Sequence, residues 1–213
     1  MKRLPPAGIL LGGALLLLSG CASPGAGSAP GAGPGDGPGA APASGAASGE
    51  VITQATVLQV EPDAAMLCLG AVMESYPPQC SGPEITNWDW SSVEMSENSQ
   101  AVTWGGYAVQ GTWDGTAFTV TQPPIPLALY DPMMAAADPR QDPQNAGATD
   151  DTRLLEIQEE LWNSDVLEML TSSPANGYLW LTVPYDDGSI QHFVDGVYGP
   201  DVVIVQSAMR PVG

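Results

Sequence analysis

Between Ala22 and Gly49 the chain contains only glycine, alanine, proline and serine, with the single acid Asp36. Such a composition has too little apolar surface to offset the entropy of ordering a chain, so the sequence predicts a disordered tether here. A flexible coil of this length spans about 30 Å, and proline lengthens it. Any folded core is therefore confined to Glu50 onward. That remainder is long enough to bury about 70% of its unfolded surface.

The segment before the tether assigns the chain an address. Lys2 and Arg3 precede an apolar run from Ile9 to Leu18, which ends in Leu18-Ser19-Gly20-Cys21. Basic start, short apolar stretch and small residues before a cysteine make a signal peptide of the lipoprotein kind. The implied chemistry is a diacylglycerol thioether on Cys21 and cleavage in front of it. The apolar run is shorter than the roughly 20 residues a spanning helix needs. Residues 1–20 are thus expected to be a lipoprotein signal peptide, and 21–49 the lipidated cysteine and its tether. The expected location is the extracytoplasmic face of a cell membrane, reached through the N-terminal lipid.

Both lysine and arginine are scarce after that point. Arg140, Arg153 and Arg210 are the only arginines beyond residue 20, against 24 acidic residues. Such a surface repels nucleic-acid phosphates and anionic headgroups, so nucleic acid is excluded as a partner. It favours cations, basic proteins, or simply solubility in a salty exterior.

There are three cysteines. With Cys21 assigned to the lipid, Cys68 and Cys80 remain, and an oxidising compartment lets them pair as a disulfide. Loop-closure entropy puts the contribution of such a bridge at about 3 kcal/mol. Their spacing is not that of a CxxC redox or zinc pair, and no second cysteine pair completes a metal site.

From Glu50 to Thr121 the pattern is that of strands. Val51–Val60 is rich in β-branched residues, and Ala65–Met73 carries a second strand into the cysteine loop. Trp88-Asp89-Trp90 reads as a short strand with both indoles on one face. Asp114-Gly115 between alternating segments predicts a type I′ hairpin, a turn that needs positive φ. Residues 50–122 are thus expected to form a small antiparallel β-barrel, OB-like by strand number and length. Residues 123–149, rich in proline and acids with Met133-Met134 in the middle, read as a connection along the surface. The acids near its end do not follow the EF-hand spacing.

Residues 150–213 read as an α-β-β-β domain. Asp150 or Asp151 opens a helix as N-cap. Leu154, Ile157 and Leu161, with Leu155, Trp162 and Val166, give it a broad apolar face. Ser172-Ser-Pro174 and Asn176-Gly177 are expected to end it. Strands are expected at Tyr178–Val183, Ser189–Val194 and Val202–Gln206, with Asp187-Gly188 as a hairpin turn. The fold class is α+β with strands dominating.

Little in this sequence marks out chemistry. One histidine, His192, excludes multi-histidine metal sites, so no metal and no cofactor are expected. Without a lysine beyond the leader there is no Schiff base, Ser-Lys dyad or P-loop. No G-x-S-x-G elbow presents a serine to His192. No pair of carboxylates is singled out by its surroundings, so catalysis is not expected and a carboxylate-based hydrolase ranks last. Six tryptophans stand out. Most should be core. Trp88 and Trp90, beside the cysteine loop, are the candidates for ligand contact, as a stacking platform for a wall polysaccharide.

Several segments are distinctive: Leu67-Cys-Leu-Gly70, Pro77-Pro-Gln-Cys-Ser-Gly-Pro83, Trp88-Asp-Trp90, Gly111-Thr-Trp-Asp-Gly115, and Tyr198 to Pro211. Together they resemble a group of uncharacterised exported actinobacterial lipoproteins. The resemblance implies a habitat and a shared fold, and carries no catalytic residues. The expected function is that of a binding or interaction module at the cell envelope, with an envelope protein or polysaccharide as partner.

Overall fold

The computed structural model describes residues 42–131, 137–164 and 166–212. The expected signal peptide, Cys21, most of the expected tether and Met133-Met134 lie outside the described residues.

The chain begins its regular structure with a long strand, β1 (Glu50–Val60), followed by β2 (Met66–Cys68), β3 (Glu84–Ile85), β4 (Glu97–Ser99), β5 (Val102–Trp113) and β6 (Ala117–Val120). β1 and β5 pair antiparallel along their whole length, from Glu50↔Thr112 to Val60↔Val102. β2 adds to the far edge of β1, β3 to β2, β6 to β3 and β6 to β5, so the five strands close into a barrel. The β3–β6 junction is parallel, which makes the barrel mixed where an antiparallel one was expected. Parallel neighbours need a crossover rather than a tight turn. The segment from Thr86 to Ala101 and β5 together make that crossover.

Closure works because the two long strands change partners along their length. β1 pairs with β2 near its end and with β11 (Arg210–Pro211) near its start. β5 is flanked successively by β4, by β7 (Ile125–Pro126) and by β6. Inward residues of the strands fill the interior: Val51, Val57, Leu67, Tyr107, Val109 and Phe118 are each 1% exposed or less. Closing the sheet on itself also removes edges that would invite pairing with another chain.

The Ala65–Met73 strand is reduced to three residues. Pro77 and Pro78 cannot donate to a ladder, and the chain between Leu69 and Gly82 instead forms the loop closed by Cys68–Cys80. The cysteines lie in a small cluster with Leu58 and Trp104. The Trp88–Trp90 strand is corrected as well. Asp89 accepts from the Ser91 amide and hydroxyl, which turns the chain into a 3-10 turn over Trp90–Ser92. An aspartate that bonds its own backbone favours such caps over strands.

A second, three-stranded sheet follows, with β8 (Thr171–Ala175), β9 (Tyr178–Val183) and β10 (Val203–Ser207) in the order β10-β9-β8. Helix α1 (Asp151–Ser164) precedes it and is N-capped by Asp150, whose carboxylate accepts from the Arg153 amide. α1 buries Leu154, Ile157 and Leu161, while Leu155 and Trp162 stay exposed and Val166, also exposed, lies beyond the helix end. The buried stripe is narrower than the apolar pattern.

The α-β-β-β order is overturned. Ser189–Val194 is the first part of a helix, α2 (Ser189–Tyr198), and β10 runs parallel to β9 as the return of a β-α-β crossover. Ile190 and Val194 are both buried one helical turn apart, a spacing that a six-residue window also reads as alternation. What decides the matter is Asp186. Its carboxylate accepts from the amides of Gly188, Ile190 and Gln191, satisfying donors that a helix start leaves free. Asp187-Gly188 is therefore a helix entrance rather than a hairpin turn. Asn176 and Gly177, both at positive φ (53° and 76°), form the β8–β9 turn instead of ending α1. Ser172 to Pro174 lie in the edge strand β8 that the turn joins.

The described residues of the two sheets belong to one compact unit. Tyr185 and Met209 of the C-terminal part enter the barrel core, and the Thr53 hydroxyl donates to the Ala208 carbonyl at 3.0 Å. Part of the expected tether joins them. The Ala47 amide donates to the Trp113 carbonyl at 2.9 Å, and the Ser44 hydroxyl to the Tyr185 carbonyl at 3.0 Å. Small residues allow this approach, and an ordered backbone on a preformed surface needs no core of its own.

Candidate functional site

The indoles singled out by the sequence sit at one end of the barrel. Trp88 and Trp90 are half-buried and meet edge to face, with ring centroids 5.3 Å apart. Trp88 also lies 5.2 Å from the ring of Tyr107, a fully buried core residue whose hydroxyl donates to the Glu94 carbonyl. Burial pushes the Tyr107 phenol pKa up. The Trp90 indole N–H donates to the Gln59 side chain at 2.6 Å, while that of Trp88 is buried with no acceptor among the described residues. Together with Val93 they pack against the barrel core as a plug. The two indole planes stand 75° apart, so the pair does not form one flat surface.

A cleft of about 500 Å³ lies elsewhere, where the barrel meets the second sheet. Three short segments wall it: Ser81–Pro83, the β5–β6 turn with Trp113, Gly115 and Thr116, and Glu168–Leu170. Each is pinned from behind. The Leu67 amide donates to the Pro83 carbonyl at 2.9 Å, which lays the first wall on β2. Gly82 has to be glycine there, since a Cβ would stand 1.9 Å from the Leu67 carbonyl oxygen.

The second wall departs from the type I′ turn read in the sequence. Only Gly115 takes positive φ (100°), and Asp114 does not. The Asp114 carboxylate accepts from the amides of Thr116 and Ala117 and from the Thr116 hydroxyl, so its side chain closes the turn. Those bonds hold its pKa below the usual carboxylate range. The third wall is fixed by the Leu170 amide, which donates to the Thr182 carbonyl of β9 at 2.9 Å.

Pro83, Met169 and Leu170 make the cleft partly apolar, Ser81 and Thr116 bring hydroxyls, and Glu168 is its charged side chain. Trp113 is itself 2% exposed and belongs mainly to the barrel core, with its indole N–H buried and unpartnered among the described residues. Its volume falls in the range of small-ligand sites.

His192 lies exposed on α2, away from a sheet face. The acids of the 138–151 region act locally. Asp138 caps a 3-10 turn and pairs with Arg140 at 2.9 Å, and Asp142 caps the next one. Asp138 is held below the usual carboxylate range by the Arg140 side chain. Among the described residues no three histidine, cysteine, aspartate or glutamate side chains gather as a metal site would require. The cleft was not legible in the sequence, because its walls come from three distant segments. No protein-family model, curated protein or solved structure matches this chain.

Proposed function

We propose that the protein is a lipid-anchored binding module on the extracytoplasmic side of the cell membrane, which meets an envelope protein or polysaccharide through the folded residues 42–213. The observation that carries this reading is the distribution of the three cysteines. Cys68 and Cys80 are bonded to each other, which suits an oxidising compartment. Cys21 is left at the end of Leu-Ser-Gly-Cys, where a lipoprotein carries its lipid. A barrel carrying a disulfide-closed loop, on a tether, is then a head group held off the membrane, with the cleft as its concave feature.

The barrel reading is OB-like. Counting the five barrel strands in chain order, the closed path runs one-two-three-five-four and back to one. This strand order, with a short helical turn between the third and fourth barrel strands, supports the OB-like reading. The architecture is compatible with many ligands and selects none.

Capture from envelope extracts with residues 42–213 as bait, run beside a polysaccharide array, tests the reading. Starting the bait at residue 42 keeps the Ser44 and Ala47 contacts with the folded part. A specifically retained protein or glycan supports a binding module. Retention of neither, by a bait shown to be folded and oxidised, contradicts it.

A further inference from the structure

We infer that the cleft between the barrel and the second sheet receives an arginine or lysine side chain from a protein partner. The inference rests on the binding-module reading and deepens it. Its ground is chemical complementarity within the cleft, backed by the charge of the chain.

The cleft combines an apolar wall (Pro83, Met169, Leu170) with one carboxylate, exposed Glu168, and has no basic side chain. Long basic side chains have the matching form, an aliphatic stem that lies on apolar surface and a cationic head that stays at its edge. An anion entering here would find no cationic partner, and Glu168 would repel it. The rest of the described surface points the same way. Of the three arginines among the described residues, Arg140 is engaged by Asp138 and Asp201 and Arg153 by Glu156 and Glu160, while Arg210 is exposed on β11. With 24 acidic residues in the chain, a basic partner is steered inward and an acidic one away. A neutral glycan gains nothing from that field, which is why a protein is favoured over a polysaccharide as the occupant.

The test uses residues 22–213 in oxidised form and a blocked hexapeptide with two central arginines, beside its norleucine and glutamate counterparts and a set of neutral oligosaccharides. Binding is read by calorimetry and by NMR shift mapping at low ionic strength. The arginine peptide should bind and perturb Gly82, Thr116 and Leu170, with neither counterpart doing so. Glu168→Gln should weaken it about tenfold, the scale of one hydrogen bond to a charged group. Glu159→Gln, an equal charge change on α1, should leave it nearly unchanged.

Equal small effects of the two substitutions would mean diffuse attraction to an acidic surface, and would overturn the cleft inference while leaving the binding module standing. An oligosaccharide that perturbs the same residues in place of the peptide would overturn the occupant class alone. If no peptide or glycan binds and nothing is retained from envelope extracts, both readings fall.

Discussion

Gln191 stands beside the outer edge of β10 as a substitute strand, its side-chain oxygen accepting the Val205 amide at 2.9 Å. Its side-chain nitrogen donates to the Val203 carbonyl, also at 2.9 Å, and to Asp195 at 2.8 Å. An edge strand normally leaves such groups open to water or to another chain. One amide on α2 thus ties the crossover helix to the strand that the crossover delivers.

Removing that amide should cost stability and protection together. Gln191→Ala is expected to destabilise the fold by about 1–3 kcal/mol, since two partly buried backbone groups lose their partners. Hydrogen exchange at the Val205 amide should rise well beyond the global change. Gln191→Glu keeps the acceptor for Val205 but sets a carboxylate against Asp195 and the Val203 carbonyl, and should destabilise at least as much as alanine at neutral pH.

The disulfide should matter for stability and little for the barrel's architecture. Cys68 and Cys80 are 12 positions apart and close a loop outside the barrel interior. Reduction, or paired replacement by alanine, is expected to lower stability by about 3 kcal/mol. The far-ultraviolet spectrum should remain that of the folded chain below the new midpoint. Chemical denaturation with and without reductant measures the difference.

Two glycines should resist substitution because of backbone proximity. A Cβ on Gly111 would lie 2.0 Å from the Thr119 carbonyl oxygen and 2.7 Å from the Phe118 ring. Gly111→Ala, or Gly82→Ala at the cleft wall, should destabilise by about 1–3 kcal/mol or more, as overpacking does. Gly196, with open space around its Cβ position, should accept alanine without this penalty. Thermal melts of the three variants compare them directly.

Acid should weaken the fold through its capping carboxylates. The pKa of Asp114 is lowered chiefly by the Ala117 and Thr116 amides, that of Asp187 by Ser189, and that of Glu50 by Thr121 and Gln110. A carboxylate whose folded pKa lies below its unfolded one stabilises the fold above the unfolded value. That stability is lost as pH falls through the folded one. Stability should therefore be level near neutrality and decline below about pH 4, where unfolded carboxylates begin to protonate. Asp114→Asn keeps an acceptor without the charge and should make the decline shallower. Denaturation midpoints across the acid range give the comparison.

Strands and turns declared themselves in the sequence where a single local pattern was enough. Val51–Val60 partly alternates and became β1, and of the two acids read as candidate N-caps of α1, Asp150 and Asp151, the structure uses Asp150. Misreadings arose where a side chain rewrote the backbone from a short distance. Asp186 converts Ser189–Val194 into helix, Asp89 bends the two tryptophans out of a strand, and Asp114 replaces a glycine-style turn with a carboxylate-closed one. Asn176-Gly177 carried its turn signal openly, but a helix end and a hairpin both use those residues. The cleft needs Gly82, Thr116 and Leu170 to meet, and no spacing along the chain encodes that. Trp88 and Trp90 were conspicuous because indoles are rare and large, properties that serve a barrel plug as well as a binding platform.

Fractionation joined to intact-mass measurement is the decisive test of the proposed lipid at Cys21. The full-length chain and its Cys21→Ser variant would be expressed in a bacterium with lipoprotein processing, and membrane and soluble fractions weighed. The full-length chain should be membrane-bound, start at Cys21, carry a diacylglycerol adduct and hold the Cys68–Cys80 bond, whereas the variant should lack the adduct and leave the membrane on washing or detergent-free extraction. A chain that is soluble and unmodified, or a variant retained as firmly as the original, would contradict it.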